Sequence, residues 1–350
     1  MKHHNLGHTG MYVSPLCLGA MMFGAWGEPD HEACVKVIHT ALDEGINFID
    51  TADVYGRGES EEIVGKALKG RRDDVILATK FHGPMDVNMG ERGGDPNQRG
   101  NSRRWMIKEV ENSLRRLQTD WIDLYQVHRP DSDTDDEETL AGLTELQRQG
   151  KIRAFGSSTF PAHRMVADQW ISERRGLGRF VTEQPPYSIL DRGIERDVLP
   201  VAEEYHMGVL PWSPLNGGWL TGRFRKGQEA PQTNRAKRMP GRFDYSKPEN
   251  AAKLEAVEQL ALLAEEAGMT LVHMALAFVM QHPAVTAPII GPRTMEQLTS
   301  QLGAVDVRLD TDVLDRIDQI VAPGVDLSEA PGAYVTDSLT RPFLRRRRTA

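Results

Sequence analysis

The stretch GINFIDTADVY, residues 45–55, decides the fold. Its apolar run ends at an acidic residue, and a tyrosine follows shortly after. The run INFI stops at Asp50, and Tyr55 lies in the segment that comes next. Two more apolar runs stop in the same way, VILAT before Lys80 and IDLYQV before His128. Because the carboxyl ends of parallel strands meet at one edge of a sheet, these four side chains are predicted to form one site.

Strand and helix patterns alternate along the whole chain, with eight strand–helix repeats between about residues 14 and 305. Two architectures accommodate such a pattern, a closed (β/α)8 barrel and an open doubly wound sheet. The count of eight and the lack of a composition break favour the barrel. We therefore predict an α/β protein that forms one TIM-barrel domain over residues 1–350, with its core at about 14–305. An N-terminal β-hairpin at 3–13, an extra C-terminal helix at 310–321 and an irregular tail at 326–350 complete the prediction.

Residues that begin and end helices mark the boundaries of these repeats. Asp30 is predicted to cap the first helix and Gly45 to follow its end, because these residue types satisfy helix termini. Ser60 is predicted to cap the second helix, and Thr294 the helix after the last strand. The connection at 216–248 is long and rich in glycine and proline, which is typical of a functional lid or of disorder.

Composition excludes several classes of protein. The 350 residues are 39% hydrophobic with a net charge of −8, which argues against broad electrostatic binding to nucleic acid. No run reaches the ~20 apolar residues of a membrane helix, and the N-terminus lacks the apolar core of a secretory signal. Cys17 and Cys34 cannot build a disulfide framework, so a reducing cytoplasm is predicted. No metal-ligand spacing is apparent, and no metal is expected.

The residue types at the strand ends suggest a reaction. A tyrosine has a pKa of about 10, too high for efficient proton transfer near neutrality. The ammonium of Lys80 would lower the pKa of Tyr55, and Asp50 would hold that ammonium charged and in place. His128 would bind a substrate oxygen. A phenol of this kind can protonate a carbonyl oxygen while a nicotinamide or flavin delivers hydride, since no side chain can do so.

The segments GINFIDTADVYG, LATKF and YQVHRPD resemble the signature of the aldo-keto reductases. GSSTF, EQPPYS, PWSPLNGGWLTG and PIIGPRTMEQL extend the resemblance over about residues 7–305. It is strongest to the bacterial branch related to the voltage-gated potassium channel β-subunits. The resemblance implies a (β/α)8 barrel, an Asp–Tyr–Lys–His tetrad at Asp50, Tyr55, Lys80 and His128, and reduction of carbonyl compounds with NADPH.

The resemblance also implies positions that bind NADP(H). For the nicotinamide they are Ser158, Gln184 and Trp212. For the pyrophosphate and the connection that folds over the cofactor they are Ser213, Leu215, Gly217, Arg223 and Arg235. For the adenosine 2′-phosphate and adenine end they are Gly291, Arg293, Gln297 and Gln301. Two departures bear on these contacts: Thr159 replaces a common Asn, and Ser300–Gln301 replaces a common Glu–Asn pair.

Five further residues are predicted to line the substrate pocket, four of them apolar, which suits an aldehyde or ketone with hydrophobic bulk. They are Met22, Trp26, Phe81, Arg129 and Trp219. Arg129 would meet an anionic group of the substrate or pair with Asp131.

Two alternatives to a reductase remain open on sequence. Relatives among the channel β-subunits bind nicotinamide cofactor and act largely as regulatory partners, but they carry Asn where this chain has His128. A Schiff-base aldolase would use Lys80 as its nucleophile on the same barrel. The predicted partner is a small carbonyl compound, with no nucleic acid and no membrane, and a homo-oligomer is compatible with the sequence.

Overall fold

Eight short parallel strands, each beside its neighbour in the chain, form the central sheet of the protein. The computed structural model describes residues 1–85, 95–233, 236, 237, 239–327, 335 and 339. The strands are β1 His4–Asn5, β2 Tyr12–Val13, β3 Cys17–Gly19, β4 Phe48–Asp50, β5 Ile76–Phe81, β6 Ile122–Val127, β7 Ile152–Ser158, β8 Thr182–Gln184, β9 Gly208–Val209 and β10 Ile289–Ile290. The α-helices are α1 His31–Asp43, α2 Glu59–Leu68, α3 Arg103–Leu117, α4 Asp136–Arg148, α5 Ala162–Arg175, α6 Val198–Glu204, α7 Pro248–Glu266, α8 Leu271–Gln281, α9 Met295–Leu302 and α10 Thr311–Ile320.

The sheet curls into a barrel. Its strand order is β10-β3-β4-β5-β6-β7-β8-β9, with every pair parallel. The start of β10 and the segment before it close the ring, because Thr286 N donates to Val209 O at 2.9 Å and Ile289 N donates to Pro211 O at 2.8 Å. The predicted (β/α)8 fold is confirmed, and the alternative of an open doubly wound sheet is wrong.

Side chains inside the barrel lie in two layers. The lower layer is apolar and is formed by Leu6, Val13, Cys17, Phe48, Ala78, Leu124, Ala154, Leu210 and Ala287. Leu6 and Val13 belong to the predicted N-terminal hairpin, which pairs β1 with β2 and closes the lower end of the barrel. The residues two positions further along β4 and β5, Asp50 and Lys80, are polar and form part of the upper layer. This arrangement leaves the carboxyl ends of the strands as the polar end of the barrel.

The predicted helix ends are mostly confirmed. Asp30 caps α1 by accepting hydrogen bonds from Glu32 N and Ala33 N, and Gly45 follows the helix with a φ of +92°. Thr294 caps α9. The prediction for Ser60 is wrong, because α2 begins one residue earlier, at Glu59. Ser60 is buried, and its hydroxyl donates to Ala20 O.

The extra C-terminal helix is confirmed as α10, while most of the predicted tail at 326–350 lies outside the described residues. Among the described helices, no single one has the length and apolar character to cross a membrane. The pair α7 and α8, bent by 95°, meets that test only when its two members are combined.

Candidate active site

Lys80 is the centre of the site that the sequence predicted. Its Nζ donates to Asp50 Oδ2 at 2.5 Å and to Thr51 O at 2.7 Å, and lies 3.4 Å from the hydroxyl of Tyr55. Asp50 ends β4 and Lys80 lies near the end of β5, and both side chains point into the barrel because inward and outward positions alternate along a strand. The structure therefore brings three of the four predicted residues into direct contact.

Burial and charge set the protonation states of this group. Lys80 is 0% exposed and Asp50 is 2% exposed. Burial alone would lower the pKa of Lys80, but the charges of Asp50 and Tyr55 and its hydrogen bonds to both together outweigh burial, so this pKa lies above its usual value. Burial raises the pKa of Tyr55, and the Lys80 ammonium offsets only part of that rise. The Lys80 ammonium therefore lowers the pKa of Tyr55 as predicted, but loss of water around the phenol outweighs it, and the pKa lies above its usual value.

His128 completes the predicted set of four. Its ring lies edge-on to the ring of Tyr55, with 5.8 Å between centroids, and its backbone N–H donates to Phe81 O. Burial lowers the pKa of the imidazole well below its usual value, and the charges of Lys80 and Arg129 lower it further. His128 is therefore neutral at pH 7 and can donate one hydrogen bond beside the Tyr55 hydroxyl.

The segment after Tyr55 turns back sharply. Gly56, Arg57 and Gly58 have φ values of +57°, +59° and +97°, and α2 begins at the next residue. Glycine adopts such angles without steric cost, which explains two of the three positions. The turn keeps Tyr55 at the mouth of the barrel, close to the end of β4.

Gln126 is a site residue that the sequence analysis missed. Its Nε2 donates to Asp50 Oδ1 at 3.1 Å, and its Oε1 accepts from Gln184 Nε2 at 3.1 Å. Gln184 Nε2 also donates to Asp50 Oδ1 at 2.9 Å. A signal was present, because Gln126 precedes His128 by two positions and therefore points to the same side of β6.

The residues predicted at the nicotinamide end lie around the barrel mouth. Ser158 and Gln184 are paired in register at the ends of β7 and β8, and Ser158 Oγ donates to Gln184 O at 2.9 Å. Trp212 follows β9, is half-buried, and has a buried Nε1 with no partner among the described residues. An unpaired buried donor of this kind is costly unless a ligand or water satisfies it.

The segment predicted to hold a pyrophosphate has an unusual backbone. Ser213, Asn216 and Gly217 have φ values of +57°, +47° and +69°, and Leu215 lies between them at −96°. Alternation of right- and left-handed residues turns successive N–H groups into a concavity that binds anions. Arg223 is exposed nearby in the chain and donates to Thr221 Oγ1, whereas Arg235 lies outside the described residues.

The residues predicted at the adenosine end surround the start of α9. Gln297 Oε1 accepts a hydrogen bond from Arg293 N at 2.8 Å, which fixes the backbone there. In the described part of the chain no carboxylate forms an ion pair with the Arg293 guanidinium. Gln301 is 6% exposed and its Oε1 has no partner among those residues, while a Cβ on Gly291 would meet only open space. These features fit an anionic ligand beside α9.

One of the predicted pocket residues, Trp26, lies beside Tyr55, and two others are fully buried away from any pocket surface. Trp26 lies 5.9 Å from Tyr55 between ring centroids, and Met22 is half-buried in the same segment. The prediction for Phe81 is wrong. Its side chain is 0% exposed and stacks on Tyr125 with 4.9 Å between ring centroids, because the residue after inward-pointing Lys80 faces the helices. The prediction for Trp219 is also wrong. It is 0% exposed and packs among Phe224, Phe243 and Tyr245.

Arg129, the fifth predicted pocket residue, lies at the barrel mouth beside Trp212, with 5.9 Å between its Cζ and the ring centroid. Asp131 is not its partner, since that carboxylate accepts from Asn101 N, Asp133 N and the Thr134 hydroxyl. No cluster of three or more His, Cys, Asp or Glu side chains in the described ranges is arranged to hold a metal ion.

Comparison with known proteins identifies close relatives over nearly the whole chain. A model described as the Aldo/keto reductase family matches residues 15–322. Uncharacterized oxidoreductase YrpG of Bacillus subtilis is 39% identical over 343 residues, which is 95% of this chain and 99% of that protein. Aldo-keto reductase YhdN of the same organism is 38% identical over 303 residues, covering 85% and 87%. A probable voltage-gated potassium channel subunit beta of Arabidopsis thaliana is 32% identical over 336 residues, covering 92% and 97%. These matches confirm the resemblance that the sequence motifs indicated.

Proposed function

The chain belongs to the aldo/keto reductase family, and on that premise we propose that it reduces an aldehyde or ketone to an alcohol with NADPH. Members of the family generally use nicotinamide cofactors. The observation that carries the proposal is the contact of Lys80 Nζ with both Asp50 and the Tyr55 hydroxyl at the barrel mouth. A buried ammonium beside a phenol is the arrangement that a tuned proton donor requires.

Each residue of the tetrad has a distinct part in the proposed reaction. Tyr55, whose phenol is protonated near neutral pH, donates its proton to the carbonyl oxygen. Lys80 stabilises the negative charge that develops on the phenol oxygen, and Asp50 keeps Lys80 charged and fixed. Neutral His128 donates a hydrogen bond to the same carbonyl oxygen and orients it toward Tyr55. When bound, NADPH supplies the hydride that the carbonyl carbon accepts.

The chain's own groups support NADPH as the cofactor. Trp212 would cover the nicotinamide ring, the left-handed turn at 213–217 would hold the pyrophosphate, and Ser158 and Gln184 would meet the carboxamide. Arg293 would bind the 2′-phosphate, since a helix N-terminus and a guanidinium together form a good phosphate site. The unpaired Gln301 Oε1 would accept a hydrogen bond from the adenine end.

We also propose that the protein acts in the cytoplasm on a small carbonyl compound, without nucleic acid or membrane as a partner. The two cysteines are free and buried, which agrees with a reducing compartment.

The test is multiple-turnover assay of NADPH oxidation with a panel of aldehydes and ketones, together with chromatographic measurement of the alcohol formed. The proposal predicts one alcohol per NADPH over many turnovers for at least one substrate. Tight cofactor binding without turnover of any panel member would instead favour a regulatory subunit. Borohydride trapping that attaches a substrate to Lys80 would favour the aldolase.

A further inference from the structure

Arg129 presents a cation beside the tetrad. It follows His128 directly, is half-buried, and lies at the barrel mouth between Thr159 and the ring of Trp212. The charge of Arg129 lowers the pKa of both Tyr55 and His128, so its guanidinium acts on both groups. A substrate whose carbonyl oxygen reaches Tyr55 would therefore have other atoms within reach of Arg129.

Among the described residues, the charge of Arg129 has no counter-ion. Within the described ranges no carboxylate lies at ion-pair distance from the guanidinium, and Asp131 is occupied by other donors. Glu183, the acid whose charge acts on the Arg129 pKa, is held by the Ser157 hydroxyl at 2.5 Å and by Phe160 N at 3.1 Å. A half-buried cation without a partner costs free energy, which an incoming anion would recover.

Among the described residues, hydrogen bonds engage only one nitrogen of the Arg129 guanidinium. Nη1 donates to His128 O at 2.7 Å and to Thr159 Oγ1 at 3.1 Å. In the part of the chain that the structure describes, Nη2 and Nε form no hydrogen bond. The two contacts of Nη1 hold the planar group in place and leave donors of the kind that bind a carboxylate in parallel.

On the basis of the proposed reductase function, we propose that the natural substrate is an acidic carbonyl compound, an aldehyde or ketone that also carries a carboxylate bound by Arg129. Thr159 contributes as a positioning residue, because its hydroxyl fixes Nη1. Its φ of +60° holds that hydroxyl in an unusual left-handed backbone at the end of β7. This assignment makes Arg129 a determinant of specificity, while Tyr55 remains the proton donor.

The experiment compares each acid with its own methyl ester. The pairs are 4-carboxybenzaldehyde with methyl 4-formylbenzoate, and succinic semialdehyde with its methyl ester, so that a rigid and a flexible spacing are both sampled. Wild-type protein, Arg129→Met and Arg129→Lys are assayed for kcat/KM, and NADPH affinity is titrated for each. Arg308→Met is the matched control, because Arg308 is exposed and, within the described ranges, donates only to the carbonyls of Val305 and Val307.

The wild type is expected to prefer the acid of at least one pair by 10-fold or more. Arg129→Met should lower kcat/KM for that acid by roughly 10- to 150-fold, the range for hydrogen bonds to a charged group. In Arg129→Met, kcat/KM for the ester should change by less than about threefold, and NADPH affinity should stay constant. For the acid, kcat/KM of Arg129→Lys should lie between those of the wild type and Arg129→Met, because lysine keeps the charge but loses the two parallel donors of the guanidinium.

Three results would overturn the inference. An equal loss for acid and ester would make Arg129 a support of the mouth, and a loss of NADPH affinity would assign it to the cofactor. A wild-type preference for both esters would exclude a carboxylate partner. In each case the reductase function would stand, because the esters are still reduced. If neither acids nor esters are reduced, the proposed function fails and the inference with it.

Discussion

Replacing Lys80 by Met tests the coupling of charge and proton donation. In the wild type, Lys80 Nζ lies 3.4 Å from the Tyr55 hydroxyl and is 0% exposed. At an effective dielectric constant of about 20, a unit charge at this distance would stabilise a full phenolate by about 5 kcal/mol. If half of that charge has developed in the transition state, Lys80→Met should raise the activation free energy of reduction by about 2.5 kcal/mol. The rate should then fall roughly 70-fold.

The same substitution also has a cost in stability. Asp50 would lose its ion-pair partner while keeping the hydrogen bonds from Gln126 and Gln184. Breaking a buried ion pair by removing one member typically costs about 3–5 kcal/mol, and we expect the lower end because these two bonds remain. The double variant Asp50→Asn/Lys80→Met removes both charges and should recover most of that loss without recovering activity.

Urea unfolding and pH–rate profiles separate the two effects. The single variant should unfold at lower urea than the wild type, and the double variant should return toward it. Because the Lys80 charge lowers the pKa of Tyr55, the alkaline limb of the pH–rate profile should move to higher pH in both variants. A Lys80→Met protein with an unchanged rate and an unchanged alkaline limb would refute the assignment.

Two further predictions concern the cofactor and the barrel wall. Arg293→Ala keeps the backbone hydrogen bond to Gln297 but should weaken NADPH binding by roughly 10- to 150-fold, with little effect on NADH binding. The control variant Arg308→Ala should change neither affinity. Equal losses of affinity for both cofactors, measured by fluorescence titration, would contradict this prediction. Burial raises the pKa of Glu183 from 4.5 to about 7, so its contribution to stability is present at low pH and is lost as pH rises through about 7. Between pH 5 and 8 the wild type should therefore lose about 2–3 kcal/mol more unfolding free energy than Glu183→Gln, and parallel pH profiles of urea unfolding would argue against the raised pKa.

The sequence predicted the tetrad because its members follow strand ends, and a closed barrel brings consecutive strand ends together. The same logic explains the error at Phe81. Inward and outward positions alternate along a strand, so a residue directly after inward-pointing Lys80 must face the helices. Applied to β6, the rule would also have found Gln126, which shares the inward side with His128.

Other features depended on distances that a sequence does not contain. The pKa of Tyr55 is set by a balance between burial and the Lys80 charge, and only the folded protein gives the weight of each. Trp219 lies in the long connection after β9, whose path no periodicity predicts, and it packs into an aromatic cluster away from the mouth. The sequence also could not predict whether Arg129 pairs with Asp131, because both residues belong to an irregular loop.

Tyr55→Phe tests the central claim most directly, because it removes one hydroxyl and keeps the ring that contacts Trp26 and His128. The measurement is single-turnover reduction of the best panel substrate by NADPH-loaded protein, with NADPH affinity determined in parallel. Proton donation by Tyr55 predicts a rate lower by roughly 10²-fold or more with NADPH affinity unchanged. Reduction by Tyr55→Phe at a rate close to that of the wild type would contradict the claim.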